Sequence, residues 1–246
     1  ANENAIAPIL NEILKTGNVP ARHSKNHQSL LEFVLLLRNR TKYAQGRIME
    51  GLGKLRDQIV GNDEINIDRE LPLMSEEEAI RLSVEVARRF SVLAMDMRYK
   101  LIENRSTIDF LSSDNPVVFY NQFLERRNPN FNNTGLTKKG LEIFLPLSPK
   151  FCLIFFDENV YGVADRNSNL IEVVDSRVIE KINCLQVINA NHALYFNETS
   201  SERYIRGFVT STQSARRKSK VTIEEVPVQN EAASSIIRSS ETEVRC

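Results

Sequence analysis

Apolar residues in the first hundred positions recur at helical spacing. Ile6, Ile9, Leu10, Ile13 and Leu14 form one such face, with Pro8 in the opening turn and Gly17 as a stop. After a polar stretch from Asn18 to Asn26, which contains Pro20, a long helix is expected over roughly 28–60. Its stripe is Leu30, Phe33, Val34, Leu37, Ala44, Ile48, Leu52, Leu55 and Ile59. Gly46, Gly51 and Gly53 weaken that stripe, so it reads as one kinked helix or two. Residues 61–74 read as a loop. Ser75 and Glu78 then have capping-box spacing ahead of a helix expected to run to about Tyr99.

Beyond residue 100 the runs shorten and fill with Val, Ile and Phe. Strands are expected at 107–111, 117–120, 141–146, 151–156 and 160–164. The polar stretch 125–140 reads as a long mobile loop. Helical period returns over 176–196 through Val178, Ile182, Leu185, Asn189 and Ala193. The Ser- and Thr-rich stretch 199–220 reads as a surface loop, followed by a short strand at Val221-Thr222-Ile223. The pattern predicts a single α+β domain over 1–225, helical over 1–100 and strand-rich over 101–225. Long N-terminal helices would pack on a mainly antiparallel sheet with one further helix, and 226–246 would be a flexible tail.

Composition changes this picture little: 246 residues, 41% hydrophobic and 26% charged, describe an ordinary globular chain. No apolar run approaches a membrane span; Phe33 to Leu37 is ended by Arg38. No secretory signal is read, and three scattered cysteines, Cys152, Cys184 and Cys246, suit a reducing compartment, so the cytoplasm is expected. Net charge is zero, which disfavours general phosphate binding but leaves room for a local patch. Arg216-Arg217-Lys218 is such a patch, able to meet nucleic acid or an acidic protein partner.

Four segments carry a family resemblance. They are Phe33 to Thr41, ending in Arg40-Thr41; Ile108 to Val117, containing Ser113-Asp114-Asn115-Pro116-Val117; Leu145-Pro146-Leu147-Ser148-Pro149; and Asn189-Ala190. Together they resemble a largely bacterial family, domain of unknown function 4238, over roughly 3–196. That family typically opens with a His-x-x-Pro block, which is absent from these residues and is expected upstream of them. The resemblance implies an architecture and no settled activity.

Candidate chemistry centres on the Ser-Asp-Asn-Pro block. As a turn, Asp114 or Asn115 accepts a hydrogen bond from nearby backbone, and Pro116 holds Asn115 extended. As a site, Asp114 would be a general base or a ligand for Mg²⁺, and Ser113 a nucleophile in need of a base. Glu142 lies at a spacing that suits a metal-dependent nuclease. Glu142-Ile143-Phe144 nevertheless lacks the lysine such a site uses. Arg40 is expected to pair with Asp114 or to bind a substrate anion. Arg22 and His27 have the five-residue spacing of helical ribonucleases, although the stretch also reads as a polar interhelix loop.

Two functions are therefore carried forward. One is a metal-dependent nuclease or other phosphodiester-acting enzyme of a bacterial defence or toxin system. It would use Ser113, Asp114 and Arg40, with Asn115, Glu142, Arg216 and Arg217 in binding. The other is a non-catalytic module that docks a partner.

Overall fold

The computed structural model describes residues 3–60, 75–125, 127, 134–198, 200, 202–213, 221–226 and 236–241. Helices α1 (Glu3–Thr16), α2 (Lys25–Asn39), α3 (Lys42–Val60) and α4 (Glu76–Phe90) come first. A 3-10 turn, Ser91–Ala94, leads into strand β1 (Arg98–Asn104). There follow β2 (Ser112–Ser113), β3 (Val118–Tyr120), the one-turn α5 (Gln122–Glu125), β4 (Glu142–Pro146), β5 (Phe151–Phe156) and β6 (Leu170–Val173). The remaining elements are α6 (Ser176–Asn189), β7 (Leu194–Tyr195), α7 (Glu202–Gln213), β8 (Val221–Val226) and β9 (Ile236–Glu241). The fold is α+β, with its first helices packed on a mainly antiparallel sheet.

That sheet has five strands in the order β3-β4-β5-β1-β6, and β1–β6 is its parallel pair. Both faces are covered. Ile9, Ile13, Leu30, Leu31 and Val34 of α1 and α2 pack with Leu101, Ile143, Leu153 and Phe155 on one face. Ile179, Ile182 and Leu185 of α6 pack with Ile102, Phe144, Ile154 and Phe156 on the other. Alternate residues of β5 thus enter opposite cores, which is why its sequence is a continuous apolar run.

The long helix breaks at Arg40-Thr41, ahead of all three glycines. Thr41 Oγ1 donates to the Arg38 carbonyl at 2.9 Å and accepts from the Ala44 N–H at 3.2 Å. Its side chain thereby ends one helix and starts the next. Ser75 and Glu78 form the expected capping box, which pulls the Glu78 carboxyl below its usual range.

Several boundaries differ from expectation. The fourth helix stops at Phe90, and β1 takes over at Arg98. Residues 107–111 are not a strand, because their backbone bonds to other partners: Phe110 N–H donates to the Pro149 carbonyl and Leu111 N–H to Asn183 Oδ1. Residues 160–164 form no strand either, while β6 adds one at Leu170–Val173. The last core helix ends at Asn189, short of 196. Part of the expected loop 199–220 is the helix α7, held by Ile205, Phe208 and Val209 against Leu111, Val187 and Leu194. The segment 226–246, expected as a flexible tail, holds strand β9, which pairs antiparallel with β8. The expected loop 61–74, and residues 126 and 128–133 of the expected loop 125–140, lie outside the described residues.

Candidate functional site

The segment from Asp109 to Val117 runs alongside α6 and is bonded to it along its length. Three amide side chains of α6, spaced three residues apart, make the bonds. Asn183 Oδ1 accepts from the Leu111 N–H at 2.8 Å, and Asn183 Nδ2 donates to the Asp109 carbonyl at 2.9 Å. Gln186 Oε1 accepts from the Ser113 hydroxyl at 3.0 Å, and Gln186 Nε2 donates to the Pro116 carbonyl at 2.7 Å. Asn189 Nδ2 donates to the Asn115 carbonyl at 2.6 Å and approaches the Val117 carbonyl at 3.4 Å. Asn183 is 2% exposed and Gln186 0%, so these two amides are buried and need these partners, while Asn189 is half-buried.

Asp114 closes the arrangement. Its two carboxylate oxygens accept from the backbone N–H groups of Asn191 and His192, each at 2.8 Å, just past the end of α6. Its own N–H donates to the Ala193 carbonyl at 3.1 Å, and Ser113 pairs with Leu194 in the short β2–β7 ladder. Asn115 Nδ2 donates to the Asn189 carbonyl at 3.1 Å, and the Asn115 N–H to Ser113 Oγ at 3.3 Å. Thus the buried Ser113 hydroxyl donates to Gln186 while accepting from Asn115. His192 lies next to Asp114 in space, but it engages through its backbone and its side chain is exposed.

Arg40 is not brought to this segment. It caps the C-terminus of α2, is exposed, and its carbonyl accepts from Gln45 Nε2 at 3.2 Å. The partners of the Asp114 carboxylate among the described residues are the two N–H groups above. The expected Arg40–Asp114 link is replaced by a different one: the Arg38 guanidinium lies 3.8 Å above the Phe119 ring, joining α2 to β3.

Glu142 sits apart, on β4 opposite Tyr120. Burial pushes its carboxyl up to about 7, against the opposing pull of the Gln122 N–H and the Tyr161 hydroxyl. Its Oε2 is buried with no hydrogen-bond partner. Tyr161 also accepts from the Phe123 N–H at 3.1 Å and donates to the Gly140 carbonyl at 2.9 Å. Glu142 and Tyr161 therefore hold the first turn of α5. Gly140 has φ of +79°, and a Cβ there would lie 2.8 Å from Phe123 Cβ, so only glycine lets this turn close.

Among the described residues no three His, Cys, Asp or Glu side chains are grouped to hold a metal ion. Arg22 and His27 bond separate partners. Arg22 Nη1 bonds Glu158 Oε1 at 2.6 Å. His27 is fully buried and stacked on Tyr99 at 4.6 Å, its Nδ1 accepting from the His23 N–H at 3.0 Å. Burial, with His23 and Arg22 nearby, lowers its pKa to about 4. Arg216 and Arg217 lie outside the described residues.

The sequence signal missed at this site was the row Asn183, Gln186, Asn189. Its three-residue spacing lays amides beside the apolar row Ile179, Ile182, Leu185, marking a helix with a polar interior seam.

Helices on both faces of a five-stranded mixed sheet, with one seam of amides clamping an extended segment to α6, define an α+β protein. Over residues 1–200 the chain matches, and belongs to, the family described as protein of unknown function (DUF4238). No curated protein and no solved structure matches it. No helix among the described residues is long and apolar enough to cross a membrane.

Proposed function

We propose that this protein is a non-catalytic module that docks a partner. The supporting observation is the commitment of the polar side chains in its family block. Ser113, Asp114 and Asn115 each bond through their side chains to α6 or the turn after it. A nucleophile needs its proton facing a base, and a metal-binding carboxylate needs a free lone pair toward the ion. The first condition is not met at Ser113, whose proton faces Gln186, and one lone pair of each Asp114 oxygen is given to a backbone N–H. The buried Cys152 thiol and the absence of disulfides among the described residues fit work in the reducing cytoplasm.

One observation favours the second reading, phosphodiester chemistry. The raised, half-buried Glu142 carboxyl, with Oε2 unpartnered, has the proton affinity of a general acid near neutral pH. One assay separates the two readings: labelled RNA and DNA are incubated with the protein and Mg²⁺ or Mn²⁺. The docking reading expects no turnover. Turnover that Glu142→Gln abolishes would overturn it in favour of an enzyme.

A further inference from the structure

Three side chains cap the first N–H groups of the one-turn helix α5. The Glu142 carboxyl takes the Gln122 N–H, the Tyr161 hydroxyl takes the Phe123 N–H at 3.1 Å, and Asn121 Oδ1 takes the Leu124 N–H at 2.9 Å. A helix start offers these donors no partners of its own, so each cap answers a need. Tyr161 does more than cap. Its hydroxyl donates to the Gly140 carbonyl at 2.9 Å and is also bonded to the Glu142 carboxyl. It thereby ties α5 to Gly140.

A tyrosine hydroxyl has one proton to give and two lone pairs to accept with. The Phe123 N–H takes one lone pair and the Gly140 carbonyl takes the proton. One lone pair is left for Glu142, and only a protonated carboxyl can fill it, by donating. An ionised carboxylate accepts only, so it competes with the Gly140 carbonyl for the same proton. The charged acceptor wins, because charge-assisted hydrogen bonds are about twice as strong as neutral ones. Tyr161 itself stays protonated, since burial and the neighbouring Glu142 push its hydroxyl up to about 12.

The surroundings make Glu142 responsive near neutrality. It faces Tyr120 on β3 and Phe156 on β5 across the sheet. The Tyr120 hydroxyl bonds Glu125 of α5 at 2.6 Å, and Asp157, just past β5, takes the Gly140 N–H at 3.0 Å. The cations on this side, Arg127 and Lys139, lie against the Phe123 ring at 3.8 and 5.6 Å. Burial raises the Glu142 carboxyl to about 7.

We propose that Glu142 is a proton switch on the α5 turn. Protonated, it donates to Tyr161 and leaves the Tyr161 proton on the Gly140 carbonyl. Once its proton passes to solvent, the Tyr161 hydroxyl turns to the carboxylate and the tie to Gly140 is lost. The switch goes beyond the docking reading and stands whether or not the protein docks a partner.

Heteronuclear NMR from about pH 5 to about pH 9 tests it. The Gly140 carbonyl and the Leu141 N–H share one planar peptide unit, so a bond lost at the carbonyl shifts the Leu141 amide nitrogen. In wild type the Leu141 and Gln122 amides are expected to titrate together with a midpoint near about 7. In Glu142→Gln the NH₂ donates to Tyr161 as the protonated acid does, so both amides should hold still at their acid-limb positions. In Tyr161→Phe the Gln122 amide should titrate and the Leu141 amide should not. A Leu141 amide that does not move in wild type, or that still titrates in either variant, overturns the proposal. So does a Leu141 titration lost in Asp157→Asn but kept in Glu142→Gln, since Asp157 is then the titrating group. Glu142→Gln keeps the shape of the side chain and decides the matter even if Tyr161→Phe folds poorly.

Discussion

Asn115 and Asn189 bond each other reciprocally through side chain and backbone: Asn115 Nδ2 donates to the Asn189 carbonyl at 3.1 Å, and Asn189 Nδ2 returns a bond to the Asn115 carbonyl at 2.6 Å. Each side chain satisfies a main-chain group of the other residue, so the segment 113–117 and the end of α6 are fixed by the same pair. Asn189→Ala strands the Asn115 carbonyl and is expected to cost about 1–3 kcal/mol, read by urea unfolding. Combining it with Asn115→Ala should cost less than the sum by about 1 kcal/mol or more. Strict additivity would show that the pair does not couple.

Asp114 accepts two backbone N–H bonds as a carboxylate. Asp114→Asn keeps one acceptor oxygen and turns an NH₂ toward the other N–H. Chemical denaturation should show a loss of about 1–3 kcal/mol, the range for hydrogen bonds to a charged group. A variant as stable as wild type would show that the carboxylate is not needed to hold the turn at 191–192.

His27 should make the fold acid-sensitive. Its folded pKa of about 4 lies below the 6.5 of the free side chain, so the unfolded chain binds the extra proton first. Stability is therefore complete above about pH 6.5, declines as pH falls toward 4, and is flat below that for this group. The conversion of about 1.4 kcal/mol per pH unit puts the loss at up to about 3 kcal/mol. In His27→Gln this component should vanish from a plot of unfolding free energy against pH.

Glu142 has the opposite sign. Its folded pKa of about 7 exceeds the ordinary 4.5, so the native state holds a proton that the unfolded chain has released. Its contribution is full below about pH 4.5 and is lost as pH rises to 7. Glu142→Gln should be more stable than wild type at pH 8, by at most about 3 kcal/mol, and close to it at pH 4. Equal melting temperatures at pH 8 would show that the carboxyl ionises without cost.

Gly140 is the fixed point of the α5 turn. Gly140→Ala would place a methyl 2.8 Å from Phe123 Cβ at a φ of +79°. A loss of about 2 kcal/mol or more is expected, from strain and displacement of Phe123. Thermal melting compared with Gly135→Ala, where the nearest neighbour is the flexible Lys138 side chain, isolates the effect.

Local pattern by itself determined much of the frame. The apolar face of α1, the capping box at Ser75 and Glu78, and the runs that become β4 and β5 are written in side-chain spacing and short-range chemistry. The sequence also marked Ser113 to Val117 as the distinctive segment of the chain. It could not say what that segment does, because the answer depends on partners more than seventy residues away, at Asn183, Gln186, Asn189, Asn191 and His192. Residues 107–111 carry strand-forming side chains, yet amides of a helix take their backbone bonds, and no local propensity encodes that. The same holds for Arg40, which sits at the helix end created by Thr41, while Asp114 bonds Asn191 and His192 instead. Only the tertiary structure decided that the block is a clamp. Burial leaves a polar group no solvent to bond, and the fold chooses which distant group stands in for water.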